Sequence, residues 1–195
     1  MLSSLLPFFI LFFAVIFVWP SWRIWRRDGN NPFVLPRDDS AEAIIGVWMK
    51  VIMAGVFVLS AALAIGIAPK HLGAMPWLTY PVTQTIGWGL LIVTLIWLIV
   101  AQAQMGQSWR IGIDSGTQTK LISAGLFRRS RNPIFLGLRL NMLGLFLIIP
   151  CAVSLSILIA CEILIAIQVR LEEVHLRAML GQPYVEYCSV VRRWI

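Results

Sequence analysis

The chain has 195 residues, 59% of them apolar and only 13% charged, where a soluble domain carries about 45–50% and about 25%. That imbalance, with a mean hydropathy of +0.83, excludes a disordered chain, a disulfide scaffold and a water-soluble core, and predicts a single integral membrane domain over residues 1–195. The net charge of +7 does not make a nucleic-acid module, because the basic residues alternate with apolar runs instead of forming a polar face.

A helix needs about 20 predominantly apolar residues to cross a bilayer. The first such run covers residues 1–20. It reads as a retained anchor, since no positive n-region precedes it and no small-residue cleavage site follows. The second covers 43–68 and is interrupted only by Lys50. The third covers 85–105. The stretch 134–169 is too long for one span, and Pro150 near its middle cannot continue a helix. It predicts a hairpin with arms 134–150 and 151–169, the first arm about 25 Å long at 1.5 Å per residue. The expected architecture is therefore all-α and polytopic, with five transmembrane helices. A cytoplasmic loop precedes the hairpin, and amphipathic C-terminal helices follow it.

The charges orient these spans. With the N-terminus outside, Arg23, Arg26, Arg27 and Arg37 fall on the cytoplasmic side. So do Arg110, Lys120, Arg128, Arg129, Arg131, Arg170, Arg177, Arg192 and Arg193. Only Lys70 lies in an outside loop, with Lys50 and Arg139 inside spans. The positive-inside rule predicts an outside N-terminus and a cytoplasmic C-terminus, in the plasma membrane of a prokaryote or the endoplasmic reticulum of a eukaryote. Arg139 stands eleven residues before Pro150 and Glu162 eleven after Cys151. A symmetric hairpin puts them at one depth, where each needs a partner. The expected contact either holds the hairpin together or lines a polar cavity. Cys151, Cys161 and Cys188 show no ligand spacing, so no metal is expected. The lack of an internal repeat speaks against a transporter.

The chemistry is concentrated after Met105. Gly112, Asp114, Ser115 and Gly116 are turn formers within a basic loop that ends Arg128-Arg129-Ser130-Arg131-Asn132-Pro133. Pro133 suits the first position of the next helix. Arg131 and the amides of that helix start offer an anion-binding corner, although basic loops beside membranes usually meet lipid headgroups. In the tail, Gly181 suits a helix end and Pro183 the start of another. Glu172 and Glu173 stand just past a membrane exit, facing loop arginines or a cationic ligand. The alternative for such a tail is a pair of interfacial helices.

Two segments carry a family likeness. Leu121…Gly125-Leu126-Phe127…Arg131-Asn132-Pro133-Ile134-Phe135-Leu136-Gly137 resembles the L…G-ϕ-aromatic…R-H-P-x-Y-x-G motif of isoprenylcysteine carboxyl methyltransferases. Glu172-Glu173…Leu176…Leu180-Gly181…Tyr184…Tyr187 is similar to that family's E-E-x-x-L…G-x-x-Y-x-x-Y tail. The likeness covers roughly residues 105 to 190. Asn132 stands where the motif has histidine and Phe135 where it has tyrosine. An acid–base role at the first position and a hydroxyl at the second are thereby lost.

The resemblance implies S-adenosylmethionine as cofactor, with S-adenosylhomocysteine as product, bound between residues 119–137 and 168–190. The implied cofactor-binding residues are Gly125, Leu126, Phe127, Arg131, Asn132, Pro133, Phe135, Gly137, Glu172, Glu173, Tyr184 and Tyr187. Leu126, Phe127 and Phe135 suit adenine, the Arg131-Asn132-Pro133 corner a carboxylate, and the glutamates the ribose or ammonium. Implied catalytic residues are Arg170, Arg131 and Glu172, with Arg170 positioning an acceptor carboxylate and Arg110 behind it. The implied reaction is O-methylation of an isoprenylated cysteine or similar lipidic carboxylate entering from the bilayer. Such an acceptor is ionised at neutral pH and needs no base. N-methylation of a phospholipid or small lipid would need one, from His175 or the glutamate pair. A non-enzymatic adaptor or small transporter is the third possibility.

Overall fold

A computed structural model of the protein describes residues 2–28, 38–106 and 121–195. Arg110, Lys120, Arg37 and the turn formers Gly112 to Gly116 lie outside the described residues. The described chain is helical, and its one β-bridge joins Ala74 to Cys151. In order come α1 (Leu5–Phe13), a π-helical turn (Ala14–Val18), α2 (Trp19–Asp28), α3 (Ala41–Ala64), α4 (Pro81–Met105), α5 (Pro133–Ile148), α6 (Ala152–Leu180) and α7 (Gln182–Val190). Among the described residues four continuous helices are long and apolar enough to cross a membrane: Leu2–Arg27, α3, α4 and α6. The fifth expected span, α5, is a shorter apolar helix of 16 residues.

The first span passes the proline at which the sequence suggested it would stop. Pro20 has no N–H, so it cannot serve the Ile16 carbonyl one turn earlier. Gln102 of α4 serves it instead, its Nε2 donating to Ile16 O at 2.7 Å. The π turn lies at the same place, as such turns often do where a side chain enters the backbone ladder. The helix therefore continues to Asp28.

α5 runs antiparallel to α4 and is tied to it along its whole length. Gln84 Nε2 donates to Ile148 O, buried Asn141 Nδ2 to Thr94 Oγ1 at 2.9 Å, and Trp97 Nε1 to Pro133 O at 2.8 Å. Trp97 sits mid-span, away from any aromatic belt, and this bond explains its place. The two backbones touch where small residues permit it. A Cβ on Gly87 would lie 2.7 Å from the Gly144 carbonyl oxygen. Gly87→Val is thus expected to force α4 and α5 apart and cost about 1–3 kcal/mol. Thermal unfolding in detergent, with Gly89→Val as the control at a position with open space, checks this.

Both ends of this short helix are met by other segments. At its far end the hairpin turn meets the α3–α4 connection, Met75 N donating to Pro150 O and Ala152 N to Gly73 O. At its near end Pro133 pairs with Trp97, so α4 extends about two turns further, to Met105. Residues 121–132 occupy that recess, and Leu126 N donates to Gln104 Oε1 at 2.8 Å. The expected hairpin contact is present: Arg139 Nε donates to both Glu162 oxygens at 2.8 Å. The Arg139 guanidinium also stacks on Trp194, 4.4 Å from the ring centroid.

The tail differs from expectation in one respect. No breaker stands between Ala152 and Leu180, so the second hairpin arm and the first amphipathic segment are one helix of 29 residues, about 43 Å long. Gly181, with φ 61°, ends it, and Pro183 lies in the first turn of α7.

Candidate active site

A cavity of about 330 Å³ lies among α1, α3, the end of α4, the start of α5 and α6. The volume is at the small end for ligand sites. Its α3 wall carries Glu42, Ile45, Gly46, Met49, Lys50, Met53, Val56 and Phe57, an i, i+3, i+4, i+7 stripe. Phe9, Phe12, Phe13, Ile16 and Phe17 of the first span face it, and Met142 and Cys161 line it as well. Polar groups gather at the end formed by the start of α3 and the close of α4: Glu42, Gln102, Asn132, Gln168 and Glu172. The cavity is greasy through most of its depth and polar at one end.

The two adjacent glutamates part company here, because successive helical side chains point about 100° apart. Glu172 lines the cavity and makes no hydrogen bond or ion pair among the described residues. Glu173 turns the other way, into a buried cluster. Arg131 donates to its Oε1 from Nε at 3.2 Å and from NH2 at 3.1 Å. Arg193 donates to Oε1 at 3.0 Å and to Oε2 at 2.7 Å. The bonds to Glu173 hold the Arg193 guanidinium above its ordinary pKa.

Arg131 is fully engaged. Its NH1 donates to the carbonyls of Cys188 and Val191, and its backbone N to Arg192 O. Asn132 Nδ2 donates to Glu173 Oε1 and to Arg193 O, while Asn132 N donates to Ser130 Oγ. The corner expected to bind a free anion is thus the dock of the chain's own C-terminal segment.

The remaining sequence candidates divide cleanly. Phe127, Arg131, Asn132, Pro133, Phe135 and Glu172 line the cavity. Gly125, Leu126, Gly137, Glu173, Tyr184, Tyr187 and Arg170 stand off its wall. Gly125, at φ +62°, lets the backbone lie on Gln104, since a Cβ there would be 2.4 Å from that side chain. Gly137 packs on Leu98 and Trp97 of α4. Tyr184 and Tyr187 build a small core with Val191, Leu121, Leu176 and Leu180. The Tyr187 hydroxyl donates to Phe127 O at 2.6 Å, and burial pushes that phenol up to about 12. Tyr187 thereby holds the Phe127 backbone in place. Arg170 is exposed and donates to Ala166 O of its own helix. His175 also lies away from the cavity wall.

Several cavity residues were given no role by the sequence reading: Lys50, Glu42, Gln102 and Gln168. Lys50, Gln102 and Gln168 are polar residues inside apolar runs, with Gln168 one turn before Glu172, and Glu42 stands just before such a run. Arg193, counted only as a charge, closes the Glu173 cluster. Among the described residues no group of three or more His, Cys, Asp or Glu side chains is placed to hold a metal ion.

In comparison with known proteins, the family described as phospholipid methyltransferase matches residues 82–183, from α4 to the start of α7. No curated protein matches the chain. The matched half supplies the Phe127–Phe135 and Glu172 walls, while the α1 and α3 walls lie before it.

Proposed function

The chain belongs to the phospholipid methyltransferase family of membrane methyltransferases, and from that premise we propose that it methylates a lipid within this cavity, with S-adenosylmethionine as donor. The observation that carries the reading is a pair of carboxylates without ion-pair partners among the described residues, Glu42 and Glu172, at the polar end of an otherwise apolar cavity. Low-dielectric walls strengthen their field, and both reactants of an amine methylation are cationic.

The residues present fit the donor. Glu172 offers an acceptor for an ammonium or ribose hydroxyls, and Phe127 and Phe135 offer faces for adenine. When bound, the donor supplies a methyl group on a sulfonium that leaves as a neutral thioether. Glu172 orients it, and the rings exclude water. Glu42 holds the acceptor's ammonium and takes its proton, so that the amine attacks neutral. The lipid tail fills the apolar depth between Phe9, Phe57 and Met142. The acceptor of this reading is an aminophospholipid. The N-terminus lies outside, and the polar end faces the cytoplasm.

A lipidic carboxylate, an isoprenylated cysteine included, is the second reading. It is favoured by Lys50, a cation on the cavity wall that takes the positioning role first expected of Arg170. Labelled donor incubated with protein and either phosphatidylethanolamine or a farnesylated cysteine analogue separates the two. Alkali-stable label in the phospholipid is expected. Alkali-labile methyl ester would select the second reading, and transfer to neither would overturn the proposal.

A further inference from the structure

We propose that Lys50 is the anchor for the negatively charged oxygen of the lipid acceptor, at the point where the cavity reaches the surface of the bundle. The inference rests on the proposed lipid methylation and adds the feature by which the acceptor is chosen.

Lys50 lies within α3, a helix long and apolar enough to cross a membrane, nine residues after its first residue Ala41, about 14 Å along its axis. An ionisable residue inside such a span is costly unless something answers its charge. Among the described residues Lys50 makes no ion pair or hydrogen bond. It is also the one cavity-lining residue, among those described, that is exposed. A residue that both lines a cavity and meets the surroundings marks an opening.

Its place on α3 is specific. Gly46, Lys50, Met53 and Phe57 follow at i, i+4, i+7 and i+11, one edge of the cavity-facing stripe. The lipid-facing residues Ile44, Val47, Val51 and Val58 occupy a different face. Helical side chains lean toward the helix N-terminus, which for α3 is the Glu42 end. The ammonium is thereby carried toward the polar end of the cavity, where the reacting group must lie.

A lipid acceptor that enters sideways brings its headgroup past this opening. A phosphodiester or a carboxylate would meet Lys50 there, while its tail slides among Phe13, Phe57 and Met53. The two sources share one chemistry, an anionic oxygen on a lipid stem. In a phosphatidylethanolamine the Lys50–Glu42 arrangement complements both charges of the headgroup.

The test uses full-length protein in nanodiscs of digalactosyldiacylglycerol, an uncharged bilayer-forming lipid without phosphate, as wild type, Lys50→Met and Lys50→Arg. Binding is titrated with phosphatidylethanolamine against diacylglycerol, and with N-acetyl-S-farnesylcysteine against its methyl ester. Wild type is expected to prefer the charged member of at least one pair. Lys50→Met is expected to lose that preference, with binding weaker by about tenfold or more. KM should rise with little change in kcat, and Lys50→Arg should stay within about threefold of wild type. The pair that shows the preference identifies the phosphodiester or the carboxylate. Equal preference in wild type and Lys50→Met, or none in wild type, would overturn the inference and leave the methylation reading standing. Charge-selective binding that depends on Lys50, without methyl transfer to either acceptor, would sink the methylation reading alone.

Discussion

Glu172→Gln is expected to lower methyl transfer on the order of 100-fold, the scale of losing one positioning contact in a reacting complex, while the protein stays folded. Glu172 faces the cavity and makes no ion pair or hydrogen bond with the described protein. Its replacement by an isosteric amide therefore breaks no internal bond. Stability should change by no more than about 0.5 kcal/mol, as for substitutions remote from packing and networks. Single-turnover methyl transfer and thermal unfolding, measured on the same preparation, read the two effects. A large loss of stability with unchanged chemistry would place Glu172 in the scaffold.

The neighbouring carboxylate should behave in the opposite way. Glu173→Ala removes the common acceptor of Arg131, Arg193 and Asn132, leaving two guanidinium groups without their carboxylate. Breaking a buried pair costs about 3–5 kcal/mol. Here the lower end, about 3 kcal/mol, is expected, because the Arg193 side chain is 35% exposed and solvent moderates its loss. The effect should be local first. The carbonyls of Cys188, Val191, Arg192 and Arg193 are held by Arg131, Asn132 and Ser130, so the segment after α7 should detach. Carboxypeptidase digestion of wild type and Glu173→Ala checks this. Rapid trimming past Trp194 in the variant alone is expected, and equal protection would contradict the cluster's role. A rotation of about 100° around α6 thus separates the carboxylate proposed to serve the reaction from the one that serves the fold, although they are neighbours in sequence.

That division marks what a sequence can and cannot disclose. Hydropathy located the second and third spans to within four residues at each end, since a span must set a whole helix length in hydrocarbon. The Arg139–Glu162 contact was legible because two unpaired charges in a hairpin have few places to go. The turn at Pro150, Gly181 after α6 and Pro183 in the first turn of α7 followed from backbone rules. The extension of the first helix past Pro20 was not legible, because it depends on Gln102, eighty-six positions away. Nor was the fusion of the second hairpin arm with the tail helix, which shows only as the absence of a breaker.

The candidate site was half legible. The motif named Phe127, Asn132, Pro133, Phe135 and Glu172, all on the cavity wall. It also named Gly125, Gly137, Tyr184 and Tyr187, whose packing contacts hold that wall in place. A motif records residues a fold requires, without separating contact from support. Asn132 illustrates this: its amide bonds Glu173 and the Arg193 carbonyl, work for which no acid–base group is needed. Lys50 and the aromatic wall of the first span lie before the matched residues 82–183. They became visible only when the helices were assembled around the cavity.

Donor and lipid are proposed to meet in the chamber bounded by Glu172, Phe127 and Phe135. An experimental structure of the protein with S-adenosylhomocysteine tests it most directly. The thioether product is expected with its amino or ribose groups against the Glu172 carboxylate and its adenine against the two phenylalanine rings. Product lodged beside Arg170, or anywhere that leaves Glu172 untouched, would contradict it.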